Sequence, residues 1–235
     1  MRKIITTALA ALAMASGTQA ADFFSTEQSE RLVTFGARLG VNTSNRTIAN
    51  NSFPGFYNHE SWGTGFDIGA VVNLNFRDYI SLQPGFFFES RSSRYTMIGP
   101  LVNIGYDGAG EAALAGKNNT YNFTIPVMAI VKFNITDDIR WNVEAGPYVS
   151  FLLDSKLKDQ RVIGINEPFF MQDAASVDFG FKLGTGFQFL KHYYIAAHYM
   201  AGCIDAWKER SLANSQKQSF GGLTKGWIFS LGYDF

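Results

Sequence analysis

Eight charged residues stand alone among apolar or small neighbours: the bases Arg38, Lys132, Arg140 and Lys182, and the acids Asp67, Glu89, Glu144 and Asp178. In an extended chain successive side chains alternate between two faces, so these charges face away from the hydrophobic residues beside them. A set of four bases and four acids on one enclosed face could form a charged constriction in a pore. It could instead fill an interior with salt bridges, because buried charges must be paired and hydrogen-bonded. The balance of signs favours the second reading. The three histidines, His59, His192 and His198, show no metal-ligand spacing. His198 lies in a strand-like run and could meet an inward carboxylate, as a catalytic base does. No Gly-x-Ser-x-Gly nucleophile motif accompanies it, so an ordinary interior histidine is the better reading. Gly184-Thr185-Gly186 lacks the helix and downstream glycine that dinucleotide binding needs. Cys203 is the single cysteine and gives neither an intrachain disulfide nor a metal site. No catalytic, cofactor-binding or metal-binding residue is assigned, no cofactor is implied, and the chain is not expected to be an enzyme.

The elements that position these charges follow from period-2 alternation. Eight runs show it: 33–42, 66–76, 80–89, 121–134, 139–151, 177–189, 193–202 and 226–235. In the first, Val33, Phe35, Ala37, Leu39 and Val41 oppose Thr34, Gly36, Arg38, Gly40 and Asn42. In the last, Trp227, Phe229, Leu231, Tyr233 and Phe235 oppose Gly226, Ser230, Gly232 and Asp234. The apolar faces carry no charge, and a Lys or Arg at mid-bilayer on a barrel's lipid face costs about 2–4 kcal/mol. Asn75–Tyr79, Asn134–Ile139 and Leu190–Tyr193 read as tight turns. Thr43–Gly63, Arg91–Asn118, Asp154–Ala175 and Ile204–Leu223 read as long polar loops, with a short helical piece over Ala109–Ala115. Pro84, Pro126 and Pro147 fall inside strands and are expected to mark bulges. Short turns alternating with long loops give an all-β fold, an eight-stranded antiparallel up-and-down transmembrane barrel with both termini on the short-turn side.

Volume decides which face is inside. An eight-stranded barrel has room for side chains and little else. The apolar faces carry Phe, Tyr or Trp in every strand, too much bulk for that interior, while the Gly, Ser, Asn and Thr of the other face fit. Aromatics gather near both strand ends, as at two lipid–water interfaces. Composition agrees: net charge is zero, aromatics make up 15% of the 235 residues and mean hydropathy is −0.03. Charge balance gives no sign of a nucleic-acid partner.

Arg2 and Lys3, the apolar run Ile4–Met14 and the small residues Thr18 and Ala20 follow the plan of a secretory signal peptide. The apolar run is shorter than the roughly 20 residues a spanning helix needs. The expected division is a signal peptide over 1–20, a short periplasmic extension over 21–30 and a barrel domain over 31–235.

Tyr121-Asn122-Phe123-Thr124-Ile125-Pro126-Val127, Val143-Glu144-Ala145-Gly146-Pro147-Tyr148 and Asp178-Phe179-Gly180-Phe181-Lys182-Leu183-Gly184-Thr185-Gly186 resemble, in order and spacing, the PorT-like outer-membrane β-barrel family of the Bacteroidota type. The end, Leu231-Gly232-Tyr233-Asp234-Phe235, resembles the outer-membrane insertion signal. The resemblance covers about Arg31 to Phe235. It implies export to the outer membrane of a Gram-negative bacterium, contact with outer-membrane lipid, and engagement of the barrel-assembly machinery through the strand ending at Phe235. Such proteins are often labelled porin family, and one namesake branch assists protein secretion. The reading that follows is an integral outer-membrane barrel with a structural or surface-interaction role. The alternatives are a narrow diffusion channel for ions or small solutes and an accessory component of secretion.

N-terminal sequencing of the membrane-bound protein is expected to give Ala21 as the first residue. Recovery of Met1 on that form would remove the signal-peptide assignment.

Overall fold

The computed structural model describes residues 23–47, 57–100, 111–163, 174–208, 210–211, 217–218 and 221–235. The expected signal peptide over 1–20 lies outside them. Eight strands close into one barrel: β1 (Val33–Arg46), β2 (Tyr57–Arg77), β3 (Ile80–Pro100), β4 (Glu111–Thr136), β5 (Ile139–Ile163), β6 (Val177–Phe189), β7 (Tyr193–Gly202) and β10 (Thr224–Asp234). A two-stranded ribbon of β8 (Arg210–Ser211) and β9 (Lys217–Gln218) sits between β7 and β10. Every barrel neighbour is antiparallel, and the seam pairs β1 with β10, for example Leu39 with Leu231 and Val41 with Phe229. Closure leaves no open edge around the spanning part of the barrel, so the ladders there pair backbone N–H with C=O without water.

The alternation sorts residues by face as the sequence indicates. Leu39, Val41, Phe181, Leu183, Phe229 and Leu231 are 52–62% exposed. Their inward neighbours Arg38, Asn42, Lys182 and Ser230 are 4–7% exposed. A water-soluble barrel shows the opposite pattern. Outward aromatics meet in two zones. Phe133 packs on Trp141, and Tyr193 and Phe235 on Tyr233, near the short turns. Phe88 packs on Tyr121, and Tyr199 on Trp227, toward the other end.

Three expectations need correction. The long polar segments are strand in part: β1 runs to Arg46, β2 starts at Tyr57, β3 runs to Pro100, β4 starts at Glu111 and β5 runs to Ile163, while among the described residues 204–223 holds only β8 and β9. The hydrogen-bonded ladder between β3 and β4 continues without interruption from Ser90–Tyr121 to Pro100–Glu111. Beyond the bilayer the outward residues need not be apolar, so alternation fades while the ladder persists. For the same reason the helical piece expected over Ala109–Ala115 is strand from Glu111 onward, its first two residues lying outside the described ones. Finally, the prolines do not mark bulges. Register is the same on both sides of Pro84, Pro126 and Pro147, whereas it shifts between Trp62 and Phe66 and between Tyr121 and Asn122. Each proline removes one N–H from the ladder, and the flanking pairs hold the register.

β2 to β5 have 21 to 26 residues and β6, β7 and β10 have 10 to 13. A tilted spanning strand needs about 9–11. Four adjacent strands therefore stand well clear of the membrane as a sheet on one side of the barrel, at the end away from the termini. At the terminal end, Phe23 and Phe24 pack on Phe133, and Phe24 also on Tyr79. Asp78 N–H donates to the Glu27 carbonyl and Asn134 N–H to that of Phe23. The extension expected over 21–30 thus lies, from Phe23, along the short-turn rim.

Val127 is an outward residue of β4 within the run flanked by the two aromatic zones. Val127→Arg is expected to destabilise the folded barrel by about 2–4 kcal/mol, and Asp137→Arg, in the exposed turn between β4 and β5, by far less. Urea titration of the two variants in lipid vesicles checks the face assignment, and equal midpoints would refute it.

Candidate functional site

The inward face is a stack of polar layers set into a narrow core. Toward the short turns, Arg38 makes a 2.7 Å ion pair with Asp234, and its guanidinium lies 4.2 Å from the Tyr194 ring centroid. Space for Arg38 comes from Gly232, where a Cβ would stand 2.5 Å from Arg38 Cδ. Above it, Glu144 accepts from Tyr194 Oη at 2.6 Å and lies 2.8 Å from His198 Nε2. The next layer centres on Glu89, which is 1% exposed. Lys182 Nζ donates to Glu89 Oε1 at 2.9 Å, and Arg91 donates to Oε2 at 2.6 and 2.8 Å. Arg91 Nη1 also reaches Asp178 at 3.0 Å, and Asp178 accepts from Tyr148 Oη at 3.0 Å. Thr124 joins Arg91 to Ser150. Higher again, Arg46 donates to Asn118 and Thr120.

The structure thus joins Glu89, Asp178 and Lys182 in one network, and sets Arg38 and Glu144 in a second beside Tyr194. Asp67 is 1% exposed, has no ion pair among the described residues, and its Oδ1 has no hydrogen-bond partner. Gly40 opposite it must be small, since a Cβ there would stand 2.6 Å from the Asp67 carboxylate. Lys132 and Arg140 lie apart from both networks. Lys132 donates to Asn75 Oδ1 at 2.8 Å, and Arg140 pairs with Asp78 at 3.0 Å at the rim.

Arg46, Arg91 and Asp234 complete the networks and stand outside the eight residues singled out by sequence. Arg46 and Arg91 fell in segments read as loops. Their parity was nonetheless visible: Arg91 is two residues beyond Glu89, and Arg46 is four beyond Asn42. Apolar residues also face inward. Val71, Met128, Ile130, Tyr148, Tyr194, Met200 and Ile228 are 1–5% exposed, and together they occupy space that the small polar residues leave.

Two spaces remain. A cavity of about 380 Å³ opens at the short-turn end, lined by Lys132, Arg140, Asp78, Gln83 and the 27–31 segment, and it ends at Arg38 and Tyr194. A space of about 40 Å³ lies at mid-barrel between Asp67, Glu144, Lys182 and His198. At the opposite mouth the chain after β7 folds inward. Trp207, 3% exposed, bridges to Ala174, donates from Nε1 to the Thr47 carbonyl at 2.8 Å and meets Tyr95 edge-on at 6.1 Å. Among the described residues no group of three His, Cys, Asp or Glu could hold a metal ion.

A domain model described as outer membrane protein beta-barrel domain matches residues 20–206. The chain belongs to that family. Membership places it in the outer membrane of Gram-negative bacteria. No curated protein matches the chain. Among solved structures, OprG of Pseudomonas aeruginosa is 13% identical with a TM-score of 0.48, covering 89% of this chain and 99% of its own. Ail of Yersinia pestis is 14% identical with a TM-score of 0.39, covering 87% and 100%. Neisserial surface protein A is 10% identical with a TM-score of 0.41, covering 86% and 97%.

Glu89 compensates two buried cations. Glu89→Ala leaves Arg91 and Lys182 short of a counter-charge, and the barrel is expected to lose about 3–5 kcal/mol. Glu30→Gln breaks only the exposed contact with Lys191, for less than about 1 kcal/mol. Urea midpoints in vesicles separate the two cases.

Proposed function

We propose that this protein is a closed outer-membrane barrel whose tall β2–β5 sheet is presented to the outside as a surface-interaction platform. The observation that carries the reading is the filled interior. Between the cavity at the short-turn end and the capped mouth, Arg38–Asp234, Glu144 with Tyr194 and His198, and the Glu89–Arg91–Lys182–Asp178 network occupy the axis. A continuous water path would require these ion pairs to separate in a low-dielectric interior, at the cost of uncompensated charge. The long strands carry backbone ladders far beyond what spanning requires, which suits a rigid exposed surface better than a solute path.

A narrow diffusion channel is the second reading, favoured by the 380 Å³ cavity at one mouth and the 40 Å³ space at mid-barrel. The secretion-accessory reading and the PorT-like subfamily rest on the Tyr121–Val127, Val143–Tyr148 and Asp178–Gly186 motifs. Export by a signal peptide over 1–20 is supported by its three-part pattern. Engagement of the assembly machinery is supported by the position of the C-terminal strand, whose seam with β1 closes the barrel, and by Phe235, 63% exposed at its end.

Planar-bilayer recording of the purified protein is expected to show little or no steady current. A large, stable, ion-selective conductance would make the channel reading the better one. In a Cys203→Ser background, Lys117→Cys should react with a membrane-impermeant maleimide on intact cells and Asp137→Cys should not. Equal labelling would contradict the proposed orientation.

A further inference from the structure

Above the second aromatic zone, the outer wall of β3, β4 and β5 carries a row of bases fixed by register. Arg94 pairs with Lys117, and Lys117 with Lys158. Residues directly opposite in an antiparallel pair share a face. Their inward neighbours Ser93, Tyr95 and Asn118 are buried, whereas Arg94 and Lys158 are exposed and Lys117 is half-buried. One row nearer the membrane, Lys156 pairs with Asn119, and its ammonium lies 5.6 Å from the Tyr121 ring centroid. Among the described residues Asp154, 3.4 Å from Lys156, is the acid paired with one of these four bases. Arg94, Lys117 and Lys158 have no ion pair among the described residues.

Like charges directly opposite one another destabilise a sheet, and no ion pair among the described residues offsets Arg94, Lys117 and Lys158. The row's height identifies what does. Lys117 is four residues beyond Tyr121; at about 3.4 Å per residue and a tilt near 40°, that is about 10 Å above the aromatic zone. Lys156 stands about half as high. Headgroups occupy the first several ångströms outside the hydrocarbon, and long basic side chains reach down from above. We propose that this wall binds the phosphate groups of the phosphorylated glycolipid in the outer leaflet, with Arg94, Lys117 and Lys158 as the upper contacts and Lys156 as the lower one. Arginine and lysine are the side chains suited to phosphate, and the ligand's negative charge relieves the repulsion across the three strands. The exposed face of β10 on the opposite wall carries a single base there, Lys225, half-buried; lipid binding is therefore one-sided.

The proposal rests on the orientation given above, which the maleimide labelling tests separately, because lipid retention in detergent does not depend on which leaflet a wall faces. The probe is diphosphoryl lipid A, mixed with phosphatidylethanolamine vesicles into which the folded protein is inserted. Native mass spectrometry after detergent extraction reads the bound lipid. Wild type and Lys225→Ser are expected to retain diphosphoryl lipid A, and Arg94→Ser/Lys117→Ser/Lys158→Ser at least about tenfold less, with unchanged heat-modifiable migration. Enzymatically dephosphorylated lipid A, offered to the wild type alone, should be retained as poorly as by the triple variant, and this arm holds even if the variant folds badly. Equal retention of both lipids by the wild type overturns the proposal. So does undiminished retention by a folded triple variant, or displacement of the lipid by a soluble sulfated oligosaccharide at equal phosphate and sulfate concentration.

Discussion

Everything in this molecule depends on one constraint: inside a bilayer a strand's backbone groups have no water to bond, so the sheet must close on itself. Closure at eight strands fixes the width of the interior, and the width fixes what can be inside. Glycine, serine, threonine and asparagine dominate that face because little else fits beside the few long side chains. Gly232 and Gly40 show the rule at atomic scale, one making way for the shaft of Arg38 and the other for the carboxylate of Asp67. Outside, lipid imposes the complementary demand for uncharged and aromatic residues.

A narrow interior that holds charges must also neutralise them. Glu89 meets two cations, Arg91 meets two carboxylates, and Glu144 is held by a phenol and an imidazole. These layers are joined across strands distant in sequence, so they tie the barrel wall together. Replacing such a network with apolar residues of equal volume can be neutral or stabilising, and here Tyr148, Met200, Ile130 and Ile228 already do part of the filling. Among the described residues the interior is a mixed polar and apolar packing, with spaces at the short-turn end and at Asp67.

Above the membrane the constraint relaxes and the wall becomes a surface. β2 to β5 continue as a sheet whose outward residues turn from aromatic to basic within a few rows, while Trp207 and Tyr95 meet edge-on, both buried, at the mouth. The asymmetry of strand length gives the protein a tall side and a low side, and the charge row lies on the tall one.

The sequence by itself determined the number of spanning strands, their short turns and which face meets lipid, because lipid and a narrow lumen impose opposite demands on alternate residues and leave a period of two. The positions of Arg38, Glu89, Glu144, Asp178 and Lys182 on the inner face were legible for the same reason. Strand length beyond the bilayer was not, since backbone pairing continues there without any apolar signature; Arg91 and Arg46, read as loop residues, thereby escaped the interior set. Register was equally hidden. Only the tertiary structure decided that Glu89 meets Lys182 across the lumen, that Asp234 serves Arg38, and that Arg94, Lys117 and Lys158 fall in one row, because each depends on how strands are shifted against one another, and Lys117 meets Lys158 only through a bulge at Tyr121 that no local pattern announces.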